Sequence, residues 1–330
     1  MRHVILYSLL ILFLSSCFEE DEMVPPHKSG DLTEATVGMT ENYQYQVYFD
    51  LASSTSVSEN LVYDWDLGFE TSDSGWHVIL NTSRMMYAGN SLKTDFDSVM
   101  STDGIEMKFD ASNGNMDSTA IGNWYEISSG NPVSHDYVYV IDPGNLPSGS
   151  VKVMRKVSFD FQDEESYVLR FAQLDGSNEQ TAVIPRDTTV NFVHFSFEQG
   201  IQNGEPPKTD WDLLFTQYSS MIPTTTGELY PYLVTGVLLN PYRVLAERDT
   251  VNLFDDISYE EVIDFPLVNT RDIIGYEWKD YDFDNGVYTV DFSRIYVIRD
   301  VEGFYYKLRF TGFYSQTGEK GFPVFEFVRL

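Results

Sequence analysis

The stretch Lys208-Thr-Asp-Trp-Asp-Leu-Leu-Phe215 has an earlier counterpart in Val62-Tyr-Asp-Trp-Asp-Leu-Gly-Phe69. Trp211 minus Trp65 is 146, and Phe195 minus Phe49 is also 146, so Val47-Tyr-Phe49 answers Val193-His-Phe195 without a gap. Alternation in Asp-Trp-Asp-Leu-x-Phe predicts a strand that buries Trp, Leu and Phe on one face and turns its aspartates outward. Moving outward, Val78-Ile-Leu-Asn81 with Arg84 returns as Val237-Leu-Leu-Asn240 with Arg243 at an offset of 159. The second copy has therefore gained 13 residues, 159 minus 146, which fall in the polar stretch Tyr218 to Tyr232 and read as a loop insertion.

Further pairs keep the same order. Phe96-Asp97 matches Phe254-Asp255, Ile121-Gly122 with Trp124 matches Ile274-Gly275 with Trp278, and Tyr139-Val-Ile141 matches Tyr296-Val-Ile298. Tyr167-Val-Leu-Arg-Phe171 is matched to Tyr306-Lys-Leu-Arg-Phe310. A tandem duplication accounts for the series, with copies at 41–187 and 188–330. Short alternating runs separated by turn residues dominate both copies: Tyr43 to Leu51, Trp76 to Asn81, Ile105 to Phe109, Val151 to Phe161, Tyr167 to Leu174, and a closing hairpin of Phe304 to Phe313 with Phe322 to Val328. The expected fold is all-β, two tandem antiparallel domains, with one short helix at Ser258 to Asp264 where Ser258 and Glu261 have capping-box spacing.

The N-terminus carries Arg2, an apolar run from Val4 to Phe13, and then Leu14-Ser-Ser-Cys17. That run is too short to span a bilayer and suits a signal-peptide core, with Cys17 placed where a bacterial lipobox puts the residue that is acylated and becomes the new N-terminus. Behind it, Phe18-Glu-Glu-Asp-Glu22 opens an acidic tether expected to run over 18–40, resembling the export signal of surface lipoproteins in Bacteroidetes-type bacteria. The expected location is an outer membrane, lipid-anchored and facing the exterior. Formal charge is 21 minus 51, or −30, a field that repels phosphate backbones and excludes nucleic acid as a partner. With Cys17 the only cysteine, neither a disulfide within the chain nor a thiolate metal site is available.

Three stretches carry a family resemblance: Val193-His-Phe-Ser-Phe-Glu-Gln-Gly200, Asp210-Trp-Asp-Leu-Leu-Phe215, and Ile295 to Phe310 continued by Gly321-Phe-Pro-Val-Phe-Glu-Phe327. Together and in order they resemble the HmuY family of secreted and lipid-anchored haem-binding proteins, most closely over the second copy. The resemblance implies a nearly all-β, non-enzymatic binding module with haem or porphyrin as bound cargo. It also implies a haem-carrying host protein and an outer-membrane transporter as partners. Members with known function hold the iron between two axial histidines or methionines. Here Thr216 to Gly275 contains no histidine, and the five in the chain are His3, His27, His77, His135 and His194. His194 stands mid-strand facing away from Val193 and Phe195, a poor position for a ligand. Met221, in the inserted stretch, is the candidate haem ligand, and Met85-Met86 occupy a comparable place in the first copy.

Enzyme signatures are absent: no nucleophile elbow, His-Glu-x-x-His, phosphate loop or dinucleotide fingerprint occurs. Asp64 with Asp66 and Asp210 with Asp212 share a strand face as an acid and base would, but their duplication fits a structural hydrogen-bonding role. Asp282-Phe-Asp-Asn-Gly286 lacks the ligand pattern of a calcium loop and reads as a solvated turn. The 22 tyrosines and 23 phenylalanines serve a β core, and exposed members could stack on sugar rings. A glycan-binding or adhesion lipoprotein is therefore the alternative to haem capture.

Overall fold

The computed structural model describes residues 29–330 except Ser74. Cys17, the signal sequence and the acidic run behind it lie outside the described residues. The regular structure of the described residues is nearly all antiparallel strand, organised as two five-stranded sheets, two four-stranded sheets and two small hairpins. Among the described residues no helix is long and apolar enough to cross a membrane. The expected helix forms as a single turn, Tyr259–Val262, whose Glu261 carboxylate accepts the Ser258 backbone N–H at 2.8 Å. The expected strand at Ile105 to Phe109 is absent apart from one bridge between Lys108 and Ala88.

The two five-stranded sheets match strand for strand. In the first, Tyr87–Asn90, Val138–Asp142, Arg155–Asp163, Ser166–Gln173 and Gln180–Pro185 lie side by side. In the second the order is Leu245–Asp249, Ile295–Arg299, Tyr305–Tyr314, Lys320–Arg329 and Thr33–Thr36. This order corrects one sequence match, because Tyr306 to Phe310 occupies the third strand of its sheet and Tyr167 to Phe171 the fourth. The topological partners are Lys156-Val-Ser-Phe159 and Lys307-Leu-Arg-Phe310. Both lysines are buried and donate to carbonyls of equivalent turns, Lys156 to Phe96 at 3.0 Å and Val99 at 3.1 Å, Lys307 to Ile257 at 3.0 Å. A buried ammonium needs such acceptors to offset its desolvation.

The four-stranded sheets hold the main departure from expectation. Tyr45–Asp50 opens the first copy, yet it pairs with Leu213–Pro223 of the second, Phe49 opposite Leu213. Reciprocally, Phe192–Ser196 pairs with Leu67–Glu70, Phe195 opposite Leu67. The opening strand and hairpin of each copy thus complete the layers of the other. Residues 67–202 make one continuous packing unit, whereas the second unit joins an N-terminal piece to 213–330. The repeat boundary at 187/188 falls inside the first of these units. The same pairing corrects the extent of the tether: Thr33–Thr36 is a sheet edge, and Val37 and Met39 are fully buried in the second core.

Each core fills the space between a five-stranded and a four-stranded sheet. Leu67, Phe69, Trp76, Tyr139, Phe159, Tyr167, Leu169 and Phe195 meet in one. Phe49, Leu213, Phe215, Trp278, Leu308, Phe310, Phe325 and Phe327 meet in the other, with Phe49 edge-on to Phe215, Phe325 and Phe327. Phe49 belongs to the first copy by sequence and to the second core by contact. Phe49→Ala is expected to cost about 3–5 kcal/mol, as for other buried Phe truncations. Hydrogen exchange should show the loss in Leu213–Pro223 and Lys320–Arg329; a loss confined to Arg155–Asp163 would refute the exchanged arrangement.

Candidate functional site

Two places bring chemically capable side chains together: the seam where the Trp motifs meet, and a cleft on the second unit. At the seam the second aspartate of each motif, Asp66 and Asp212, turns inward, against the sequence expectation. Asp66 Oδ2 accepts the Phe197 N–H at 2.8 Å, and Asp212 Oδ2 accepts the equivalent Leu51 N–H at 2.9 Å. Each aspartate's own N–H donates to the exchanged strand, Asp66 to Phe195 O at 2.8 Å and Asp212 to Phe49 O at 2.9 Å. Asn81 and Asn240 tie down the carbonyls of Trp65 and Trp211, at 2.8 and 2.6 Å. The motif is therefore a clamp on the other copy's hairpin, and its regular strand begins only at Leu67 or Leu213.

The clamps differ in charge. Asp66 is ion-paired with buried Arg84. Asp212 has no such partner among the described residues and takes its second bond from the Val301 N–H at 2.9 Å, and burial pushes its pKa up to about 7. Asp64 accepts the Leu61 N–H at 2.9 Å, and exposed Asp210 accepts the Thr209 hydroxyl at 2.7 Å. No pair of these carboxylates faces a common space as an acid and base would.

Starting inside this turn, Trp65 and Trp211 leave the Leu–Phe cores and face each other's copy. Trp65 stacks flat on His194, centroids 4.1 Å apart and planes 2° from parallel, and Tyr48 meets Trp211 edge-on at 4.9 Å. Tyr48 plus 146 is 194, so the two pairs are equivalent. Trp65 Nε1 donates to Gln46 Oε1 at 2.8 Å; Phe192 stands at the matching position of the second copy, and Trp211 Nε1 has no partner among the described residues. A cavity of about 50 Å³ lies between these rings, enough for a few waters and far below the roughly 300–1,000 Å³ of small-molecule sites. Among the described residues no group of three His, Cys, Asp or Glu could hold a metal ion. His194 is a packing residue here, flat on an indole behind a cavity no porphyrin enters. Met86 is likewise core, while Met85 is half-buried at φ +55° beside it.

Burial, with Arg271 adding to it, pulls the His194 pKa down from 6.5 to about 3. Because the folded value lies below the unfolded one, stability from this group is complete above pH 6.5 and is lost as pH falls, by up to about 1.4 kcal/mol per unit. His194→Phe keeps a ring on Trp65 and removes the titration. Relative to the parent, this variant should gain about 1.4 kcal/mol per unit between roughly pH 6 and 4 in urea denaturation. A difference that does not change with pH would refute the buried, neutral imidazole.

The second place is where the copies diverge. The 13 extra residues do not form a loop: they lengthen a hairpin, Leu213–Pro223 with Leu229–Leu239, turned by Thr224 to Glu228. Met221 is on its first strand, opposite Pro231 and 43% exposed. Next to it the segment 270–277 lies directly on the hairpin, Val237 and Gly275 exchanging backbone bonds of 3.0 and 3.1 Å. A Cβ on Gly236 would stand 2.3 Å from Gly275 O, so this approach requires glycine. Gly275 has φ +62°, as its counterpart Gly122 does, and its carbonyl accepts Trp278 Nε1 at 3.1 Å. The result is an open cleft of about 460 Å³, walled by Tyr218, Met221, Ile273, Ile274, Tyr276 and Tyr296, with the charged groups Arg248, Arg294, Glu247, Asp272 and Glu277 also lining it. Apolar and aromatic walls with a few charged groups are the usual make-up of a small-molecule site.

The HmuY protein family model matches residues 42–183 and 244–327, about two thirds of the chain. The chain belongs to the HmuY family. Apo PinO from Porphyromonas gingivitis aligns over 90% of this chain and 96% of its own, at 8% identity and a TM-score of 0.28. The apo HmuY analog TFO from Tannerella forsythia aligns over 92% and 97%, at 10% identity and 0.25. At such scores neither alignment bears on the site. No curated protein matches the chain. The HmuY match skips 184–243, which holds the second Trp motif and the lengthened hairpin, so one wall of the cleft lies outside the family match and the other inside it.

Proposed function

We propose that this chain is a non-enzymatic surface lipoprotein that captures haem or a related porphyrin in the cleft beside Met221. The observation that carries the reading is the cleft itself: about 460 Å³, with an aromatic and aliphatic wall of Tyr218, Ile273, Ile274, Tyr276 and Tyr296, a half-exposed thioether on that wall, and a charged rim that includes Glu247, Asp272 and Glu277. Burial of a porphyrin's largely apolar faces supplies the driving force, and Met221 is the only methionine or histidine lining that cleft among the described residues. Iron would then take one protein ligand and a water, and release should be easy. Membership in the HmuY family supports the binding role, and partners of this reading are a haem-carrying host protein and an outer-membrane transporter.

Titration with haemin, oxidised and reduced, should give a saturable red-shifted Soret band with a stoichiometric endpoint. Met221→Ala should shift the band and weaken binding; an unchanged band discards this ligand, and a flat titration in both redox states discards haem.

Anchoring through Cys17 is proposed from the lipobox and the short apolar run. Cys17→Ala is expected to leave the detergent phase in phase partitioning, and partitioning equal to the parent would remove the anchor.

One observation favours the glycan reading. The hairpin Lys279–Asp282 with Val287–Val290 displays Tyr281 and Phe283, the latter 85% exposed, with centroids 5.0 Å apart and Tyr288 at 4.7 Å from Tyr281. Retardation in a neutral-glycan affinity gel, lost in Phe283→Ala, would select it.

A further inference from the structure

The edge of the Met221 cleft carries two arginines in different electrostatic states. Arg294 is occupied: its Nη1 donates to Glu277 Oε2 at 2.8 Å and its Nε lies 3.4 Å from Asp291 Oδ2. Arg248, on Leu245–Asp249 opposite Tyr296, enters no ion pair among the described residues. Its side chain makes no hydrogen bond there either, and its Nε is buried without an acceptor. Of the carboxylates near it, Glu247, Asp272 and Glu277 share the cleft, and Glu277 is the one paired with Arg294. Glu247 accepts the Arg248 backbone N–H at 2.9 Å, Asp249 accepts Val251 and Asn252 N–H groups at 2.8 and 3.0 Å, and Asp272 accepts the Ser112 hydroxyl at 2.5 Å.

In a chain with 51 acidic and 21 basic residues, a half-buried guanidinium that forms no ion pair among the described residues, although Glu247, Asp272 and Glu277 line the same cleft, is an unfilled binding position. A guanidinium presents a planar fork of donors that matches a carboxylate, and a partly desolvated pair is worth more than an exposed one. Arg248 also lines an adjoining open cleft with exposed Val251, Leu253 and Phe292, so it stands where the apolar wall meets water. That is the place for the polar end of a ligand whose body is apolar.

We propose that Arg248 recognises a carboxylate of the bound ligand, which restricts the cleft to planar apolar molecules that carry an acidic group. The assignment rests on the porphyrin reading and adds to it a group that acts on the ligand's periphery independently of the metal.

The test compares haemin, metal-free protoporphyrin IX and its dimethyl ester, titrated against the full-length protein and its Arg248→Gln and Arg170→Gln variants. Circular dichroism confirms that the variants are folded. The parent should bind each free acid about tenfold or more tightly than the ester, and Arg248→Gln should erase that preference while leaving the ester's affinity unchanged. Arg170→Gln, on the other unit, should keep the preference. Equal binding of acid and ester by the parent, or a preference that survives in Arg248→Gln, overturns the role of Arg248 and leaves the porphyrin reading standing. Absence of binding by all three ligands overturns both. Because the metal-free acid has no iron, an effect of Arg248→Gln on it cannot arise through Met221.

Discussion

Everything in this architecture depends on two carboxylates reaching backbone N–H groups far away in the chain. Asp66 holds Phe197 across 131 residues, and Asp212 holds Leu51 across 161. Each bond fixes the end of an exchanged strand just where regular pairing stops and an N–H would otherwise be buried without a partner. A charge-assisted bond in a buried setting is strong when made, and the aspartate is costly to bury if it is not. The clamps therefore determine which hairpin closes which core. Separately, the strand Thr33–Thr36 pairs with Lys320–Arg329, so the second unit joins segments from both parts of the described chain.

The two units share one strand plan and differ in detail. The seam keeps its pairs, Tyr48 on Trp211 and His194 on Trp65, but each has been altered: Gln46 serves the first indole, and Phe192 offers nothing to the second. Asp66 retains an arginine that Asp212 lacks. Elsewhere the second copy spent its additional residues on a longer hairpin, and with Gly236 and Gly275 permitting close backbone approach, this raised a wall that the first copy does not have. The seam is tightly packed around about 50 Å³, whereas the cleft of about 460 Å³ has the volume of a small-molecule site.

Membership in the HmuY family and the all-β class were legible in the residues, as were the duplicated motif and the short capped helix. The family was legible only as a resemblance carried by three stretches in order, whereas the β class and the helix rest on alternation, turn residues and capping spacing, all of which are local. Errors arose where a local pattern had two solutions. Tyr306 to Phe310 looks like Tyr167 to Phe171 because neighbouring strands facing one core repeat the same aromatic alternation; the buried lysines Lys156 and Lys307 give the true register. Tyr218 to Tyr232 read as a loop because Pro and Gly punctuate it, yet Pro223 and Pro231 stand in strands of the outer part of a hairpin. Cys17 and its anchor belong to the sequence alone.

By itself, then, the sequence determined which residues make strands, which of their faces are apolar, and that the plan occurs twice. It could not say which copy's strand lies beside which. Phe49 and Phe195 occupy equivalent positions with nearly the same alternation, and alternation specifies the buried face without specifying the neighbour. The tertiary structure made that choice through the inward aspartates. It likewise brought Tyr218 and Met221 to Arg248, to 270–277 and to Tyr296, residues from four separate segments whose meeting leaves no trace in any local pattern. Their approach depends on two glycines that let one backbone lie against another, a matter of steric clearance between segments that only the folded chain brings together.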